Sequence, residues 1–144
     1  MSVQETENEI VEEFSFFTDW MEKYEYLIDL GKNLPLIDES NKTESNLING
    51  CQSRVWLSVE YKNGKLHFTA DSDAIITKGL ISLLIRVYSD RTPKEINSSD
   101  FSFIDKIGLK ENLSPTRANG LVSMIKKIKS YALVYEIKEK ELQK

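Results

Sequence analysis

Ile10, Phe14, Phe17, Met21, Tyr24 and Ile28 recur at spacings of three and four, the stripe of an amphipathic helix. Thr18, followed by Asp19 and Glu22, reads as an internal N-cap with acids in its first turn. The stripe therefore predicts two helices, about 6–16 and 19–30, with Gly31 and Pro35 ending the second. Residues 32–45 are polar and turn-rich and predict a loop. The period then changes to two. Asn46-Leu47-Ile48 predicts a very short strand. Val55, Leu57, Val59 and Tyr61 alternate with Trp56, Ser58 and Glu60 as a half-buried strand does. Asn63-Gly64 is a strong hairpin signal, because both residues tolerate positive φ. Lys65–Ala70 is the returning strand, with Leu66 and Phe68 on one face and His67 on the other. Asp71-Ser72-Asp73 offers caps for a helix over Ala74–Ser89, apolar nearly all round and so central and buried. Thr92-Pro93-Lys94-Glu95 is a capping box with Pro at the first helical position. A short helix near 100–107 ends at Gly108, and Ser114-Pro115 opens a last helix with Leu121, Ile125, Ile128 and Ala132 as its core stripe. Residues 136–144 are charged and predict a tail that either frays or extends into solvent. Strands are segregated from helices, so the expected class is α+β, a small three-stranded antiparallel sheet flanked by helices.

The length, 144 residues, fits a single domain over 1–144 with one core. No window approaches 18 consecutive apolar residues, and the start lacks the basic and apolar regions of a secretory signal, so the expectation is a cytoplasmic protein without a membrane segment. A net charge of −4 argues against nucleic acid as a partner. The charge is unevenly spread. Residues 1–31 hold nine acidic residues and one lysine, whereas residues 121–144 hold six lysines and three glutamates. Two solvated helix faces account for this, as does an acidic docking face.

The single cysteine, Cys51, rules out an intrachain disulfide and any two-cysteine metal or redox motif. The single histidine, His67, supplies no zinc or non-haem iron site without carboxylates, and falls on a strand face where a solvated role is the simpler one. Neither GxxxxGK[ST] nor GxGxxG occurs. Cys51 follows Gly50 between two β segments. A free cysteine is most often a small buried hydrophobe. Polar neighbours (Asn49, Gln52, Ser53) suit a functional loop better than a core strand. Activation as a thiolate calls for a cation or a helix N-terminus, and Arg54 and Arg117 are the candidates. Asp71 and Asp73 either cap the following helix or hold the Cys51 loop.

Gly50-Cys51-Gln52-Ser53-x-Val55-Trp56-Leu57 resembles the active-site signature of the SufE family of sulfur-acceptor proteins. Ala70-Asp71-Ser72-Asp73-Ala74-x-Ile76-x-Lys78-Gly79-Leu80 is similar to the family's second block, and Leu113-Ser114-Pro115-Thr116-Arg117-x-Asn119-Gly120-Leu121 to its third. The resemblance covers roughly residues 10–130. It implies an α+β fold similar to IscU-type scaffolds. It also implies a cysteine desulfurase partner, SufS-like or CsdA-like, whose persulfide sulfur passes to Cys51 and then to an iron–sulfur scaffold complex. Pyridoxal phosphate belongs to that partner, and no cofactor of the chain's own is expected. Gly50, Gln52, Ser53, Asp71, Asp73 and Arg117 become supporting or partner-binding residues, with Arg117 favoured over Arg54 because the matching block includes it. The Cys51 loop is expected to lie inward alone and to swing out at the partner, hinged at Asn49-Gly50. The alternatives are a non-transferring adaptor or scaffold-like binding protein of the same fold and a cysteine hydrolase using His67 as base. The chain departs from the pattern at Arg54, which adds a charge beside the thiol, and in the charged tail.

Overall fold

The computed structural model describes residues 1–142. In chain order the elements are α1 (Val3–Ser15), α2 (Trp20–Lys32), β1 (Val55–Lys62), β2 (Lys65–Ser72), α3 (Ile75–Tyr88), α4 (Pro93–Asn97), α5 (Phe103–Lys106), α6 (Leu109–Asn112) and α7 (Pro115–Leu142). Two 3-10 turns, Glu39–Asn41 and Glu44–Asn46, lie in the link between α2 and β1.

β1 and β2 form the predicted hairpin, antiparallel from Val55 opposite Ser72 to Lys62 opposite Lys65. Asn63 and Gly64 take φ of 55° and 77°, the handedness a two-residue hairpin turn demands. Among the described residues this sheet has two strands, not three. Leu47 forms a single bridge to Trp56, and Ile48 N–H donates to the Val55 carbonyl at 2.8 Å. The pairing stops there because the 3-10 turn ends at Asn46 and Gly50 turns the chain away with φ of 93°. On the opposite edge Leu36 makes one bridge to Ala70.

The inward face of the hairpin (Leu57, Leu66, Phe68, Ala70) joins α3 in one hydrophobic cluster to which α1, α2, α5 and α7 also contribute. α3 is buried around most of its circumference, as its composition predicts. α2 crosses it at very short range. A Cβ on Gly31 would lie 3.1 Å from Gly79 N, and one on Gly79 would run into the Leu27 carbonyl. Of the two outcomes expected for the charged tail, the structure shows extension: α7 continues to Leu142, with Tyr135 against Tyr61 at a ring separation of 5.2 Å and Glu136 bonded to Asn97. Residues 143–144 of that expected tail lie outside the described residues.

α1 begins at Val3, earlier than the apolar stripe implies, because Ser2 and Glu5 close a capping box. Three of its five acids, Glu7, Glu9 and Glu13, bond side chains of α3. Arg86 bonds Glu9 at 2.6 Å and also pairs with Glu13, which accepts from Tyr26. Glu7, 4% exposed, accepts from Tyr88 OH at 2.8 Å. The Arg86 guanidinium holds the Glu13 carboxyl below the usual carboxylate range. Arg86→Met is expected to cost about 2 kcal/mol, less than the ~3–5 kcal/mol for breaking a fully buried pair. A depressed carboxylate stabilises the fold above its unfolded pKa, about 4.3, and that contribution disappears as pH falls through the folded value. Urea titrations should therefore show the gap between wild type and variant closing below about pH 4.

Candidate functional site

Cys51 stands on a five-residue crest, Asn49–Ser53, whose base is fastened to the sheet. Arg54 N–H donates to Asp73 Oδ1 at 3.0 Å, Ser72 Oγ donates to the Arg54 carbonyl at 2.8 Å, and Asp73 N–H reaches the same carbonyl at 3.3 Å. Asp73 thus holds the backbone of the loop. It does not cap α3, whose N-cap is Ala74 with no side-chain bond. β2 runs on through Ser72, so Asp71 sits in the ladder opposite Trp56 instead of at a helix start. Its carboxylate pairs with Lys42 at 2.8 Å and Lys78 at 3.4 Å, while Lys42 also lies 5.3 Å over the Trp56 ring. This knot ties the 3-10 turns to the hairpin, and Asp71 does not line the cavity beside Cys51.

The crest rests on α7. Gly50 lacks a Cβ where one would collide with Ser123 Oγ, and its positive φ favours glycine in any case. The Cys51 thiol points at the Gly120 carbonyl, Sγ to O 3.6 Å. A side chain at position 120 would touch the sulfur, since an added Cβ would lie 3.4 Å from it. Half-buried, the thiol is pushed up from its ordinary pKa by desolvation. Donation to a carbonyl favours the same protonated form. The resting thiol is therefore held neutral, not activated.

Beside it opens a cavity of about 300 Å³, lined by Cys51, Gln52, Ser53, Ser114, Thr116 and Arg117, with Thr77, Leu80, Gly120 and Met124 completing the wall. Ser114 Oγ accepts from Arg117 N–H at 3.3 Å and so caps α7, placing Arg117 in the helix's first turn. Among the described residues Arg117 forms no ion pair, neither with Asp71 nor with Asp73. Arg54 does not line this cavity. Of the residues singled out in the sequence, Cys51, Gln52, Ser53 and Arg117 meet around one space, Gly50 shapes the crest, and Asp73 fastens its base. Gly120, Ser123, Thr77 and Met124 escape local reading, since a small or apolar residue in a helix carries no sign of a contact with a distant loop. His67 sits on β2 opposite Glu60, with Nδ1 3.6 Å from Asp90, and does not line the cavity, so a Cys–His dyad is not assembled.

Among the described residues, no three His, Cys, Asp or Glu side chains gather as a metal site, and no helix is long and apolar enough to cross a membrane. A larger cavity of about 470 Å³ lies at the first turns of α1 and α4, away from the thiol.

Gly50→Ala tests the seating of the crest. The new methyl meets Ser123 and demands a backbone conformation costing about 1–2 kcal/mol for an L residue. The crest should lift, and Cys51 should react with iodoacetamide several-fold faster than in wild type. An unchanged rate would show that Gly50 does not hold the thiol against α7.

The profile of the SufE family, described as an Fe-S metabolism associated domain, matches residues 8–132. An uncharacterized SufE-like protein of Rhizobium etli is 42% identical over 132 residues, covering 88% of this chain and 89% of its own. A second uncharacterized SufE-like protein, from Rhizobium meliloti, is 42% identical over 131 residues, covering 87% of this chain and 93% of its own. The solution structure of a hypothetical protein from Thermus thermophilus shares the fold, with a TM-score of 0.73 at 17% identity over 88% of this chain and 93% of that one. With a matching profile over most of its length and close relatives that bear the family's name, the chain belongs to the SufE family, whose domain is associated with iron–sulfur metabolism.

Proposed function

We propose that the protein accepts sulfur from the persulfide of a cysteine desulfurase onto Cys51, stimulates that enzyme by unloading it, and passes the sulfur to an iron–sulfur scaffold complex. The observation that carries the reading is a lone thiol on a fastened crest, beside a cavity lined by a guanidinium that forms no ion pair among the described residues. The Cys51 thiolate attacks the outer sulfur of the donor persulfide. A new sulfur–sulfur bond forms at Cys51, the donor's sulfur–sulfur bond breaks, and the donor cysteine leaves as its thiolate. One neutral sulfur atom moves and no net oxidation occurs. The terminal sulfur on Cys51 is an anion once deprotonated. Arg117, in the first turn of α7 where the helix dipole is positive, suits that charge.

The resting thiol is protonated and turned toward Gly120, so transfer begins with the crest leaving α7. The fastening at Arg54 and the bend at Gly50 leave Asn49–Ser53 as the moving part. Released into water, Cys51 regains its ordinary pKa of about 8.5 and a larger thiolate fraction. No cofactor of the chain's own enters this scheme. Pyridoxal phosphate stays on the desulfurase, SufS-like or CsdA-like, and the exchange takes place in the cytoplasm. A scaffold that builds clusters needs several thiolate or imidazole ligands, and this chain has one cysteine and one histidine.

Incubation with a cysteine desulfurase, pyridoxal phosphate and free cysteine tests the proposal. Mass spectrometry of the proteolysed protein should find one added sulfur atom on the peptide containing Cys51, and desulfurase turnover should rise. A loaded desulfurase beside an unmodified Cys51 would refute it.

A further inference from the structure

The crest of the Cys51 loop separates two cavities, not one. Ahead of it lies the space that Arg117 lines. Behind it lies a second, of about 230 Å³, bounded by Leu47, Ile48 and Asn49 and by Ser123, Lys126, Lys127 and Ser130 of α7. The crest crosses α7 between them, Cys51 on Gly120 and Gly50 on Ser123. With the crest lifted, the two cavities would meet as a groove along α7 at Gly120 and Ser123. The two linings contribute Arg117, Lys126 and Lys127, and no Asp or Glu. That is the reverse of the chain as a whole, where acidic residues outnumber basic ones and the net charge is −4. Lys126 is exposed, and neither it nor Arg117 forms an ion pair among the described residues.

We propose that this groove receives an extended acidic segment of the protein partner in sulfur transfer, and that the segment displaces the Cys51 crest from α7. The partner's role rests on the sulfur-acceptor reading; the charge and shape of the groove do not. Lys126 follows Arg117 by about 14 Å of helix rise, which an extended chain spans in about four residues. Carboxylates about four residues apart would then meet both ends at once. Only a segment filling both cavities competes with Gly50 and Cys51 for the surface at Gly120 and Ser123. Docking and exposure of the thiol become a single event, and the resting seat keeps the sulfur out of reach until the matching charge arrives.

Fluorescein-labelled peptides in a Gly/Ser background, bearing two glutamates four residues apart, two lysines or two glutamines, test this without a desulfurase. Binding is read by anisotropy and Cys51 exposure by the rate of iodoacetamide alkylation. The glutamate peptide should bind and speed alkylation several-fold, an effect that fades with added salt. Lys126→Glu and Lys127→Glu should abolish it, whereas Lys140→Glu, further along the same helix, should retain it. Equal action by the lysine or glutamine peptide, binding without faster alkylation, or no response at millimolar peptide would each overturn the proposal. Sulfur loading of Cys51 by a desulfurase is scored separately, so the loss of one reading does not decide the other.

Discussion

Cys51→Ser should reduce desulfurase turnover to that of the desulfurase alone, while leaving the fold and the docking surface in place. The substitution keeps a small polar side chain on the crest, whose base is held by backbone bonds at Arg54 and not by the thiol. What it removes is the nucleophile. A serine hydroxyl is negligibly ionised at neutral pH, whereas a thiol in water is a few per cent thiolate. Oxygen also forms no stable counterpart of a persulfide. Because the surface survives, the variant should compete with wild-type protein and inhibit its stimulation of the enzyme in proportion to its concentration. Sulfide release in mixtures of the two reads this directly. Stimulation by the serine protein alone would mean that activation proceeds by contact, with no transfer through position 51.

The second large effect is on stability and lies far from the thiol. Gly79→Ala should cost about 3 kcal/mol, the upper end for overpacking a core. In an exposed helix the same change would stabilise by about 1 kcal/mol, because alanine is the better helix former. Here the methyl would enter the Leu27 carbonyl and stand 3.2 Å from Leu27 Cβ, so α2 and α3 must part. The obstacle is backbone, which cannot rotate aside as a flexible side chain does. Gly31→Ala, whose methyl would meet Gly79 N at 3.1 Å, should cost less. Urea midpoints compare the two variants, and a gain of stability at position 79 would contradict the close crossing of α2 and α3.

Local signals in the chain were sufficient for most elements. The Asn63-Gly64 turn, the Thr92–Glu95 capping box and the Ser114-Pro115 start of α7 each satisfy backbone groups within a few residues, and each is present as expected. Failures come where a partner distant in sequence decides. Asp71-Ser72-Asp73 has the composition of a cap, but β1 keeps β2 paired through Ser72, and Arg54 takes the Asp73 carboxylate. Leu47 has one bridging partner because Gly50 must turn toward α7. The N-cap of α2 is Asp19 rather than Thr18, a matter of one residue. At the site, Cys51 and its neighbours are recognisable as a motif, and Arg117 through its block. The seat on Gly120 and Ser123 is not, because a glycine and a serine in a helix carry no local sign that they meet a loop about seventy positions away.

The solitary thiol has a chemical consequence for custody of any sulfur it would accept in the proposed role. A resolving cysteine in the same chain would close a disulfide on Cys51 and expel the outer atom as hydrogen sulfide. This protein owns no such second thiol. Under the proposed role, a sulfur atom accepted there and folded back against the helix would be discharged only by a visitor.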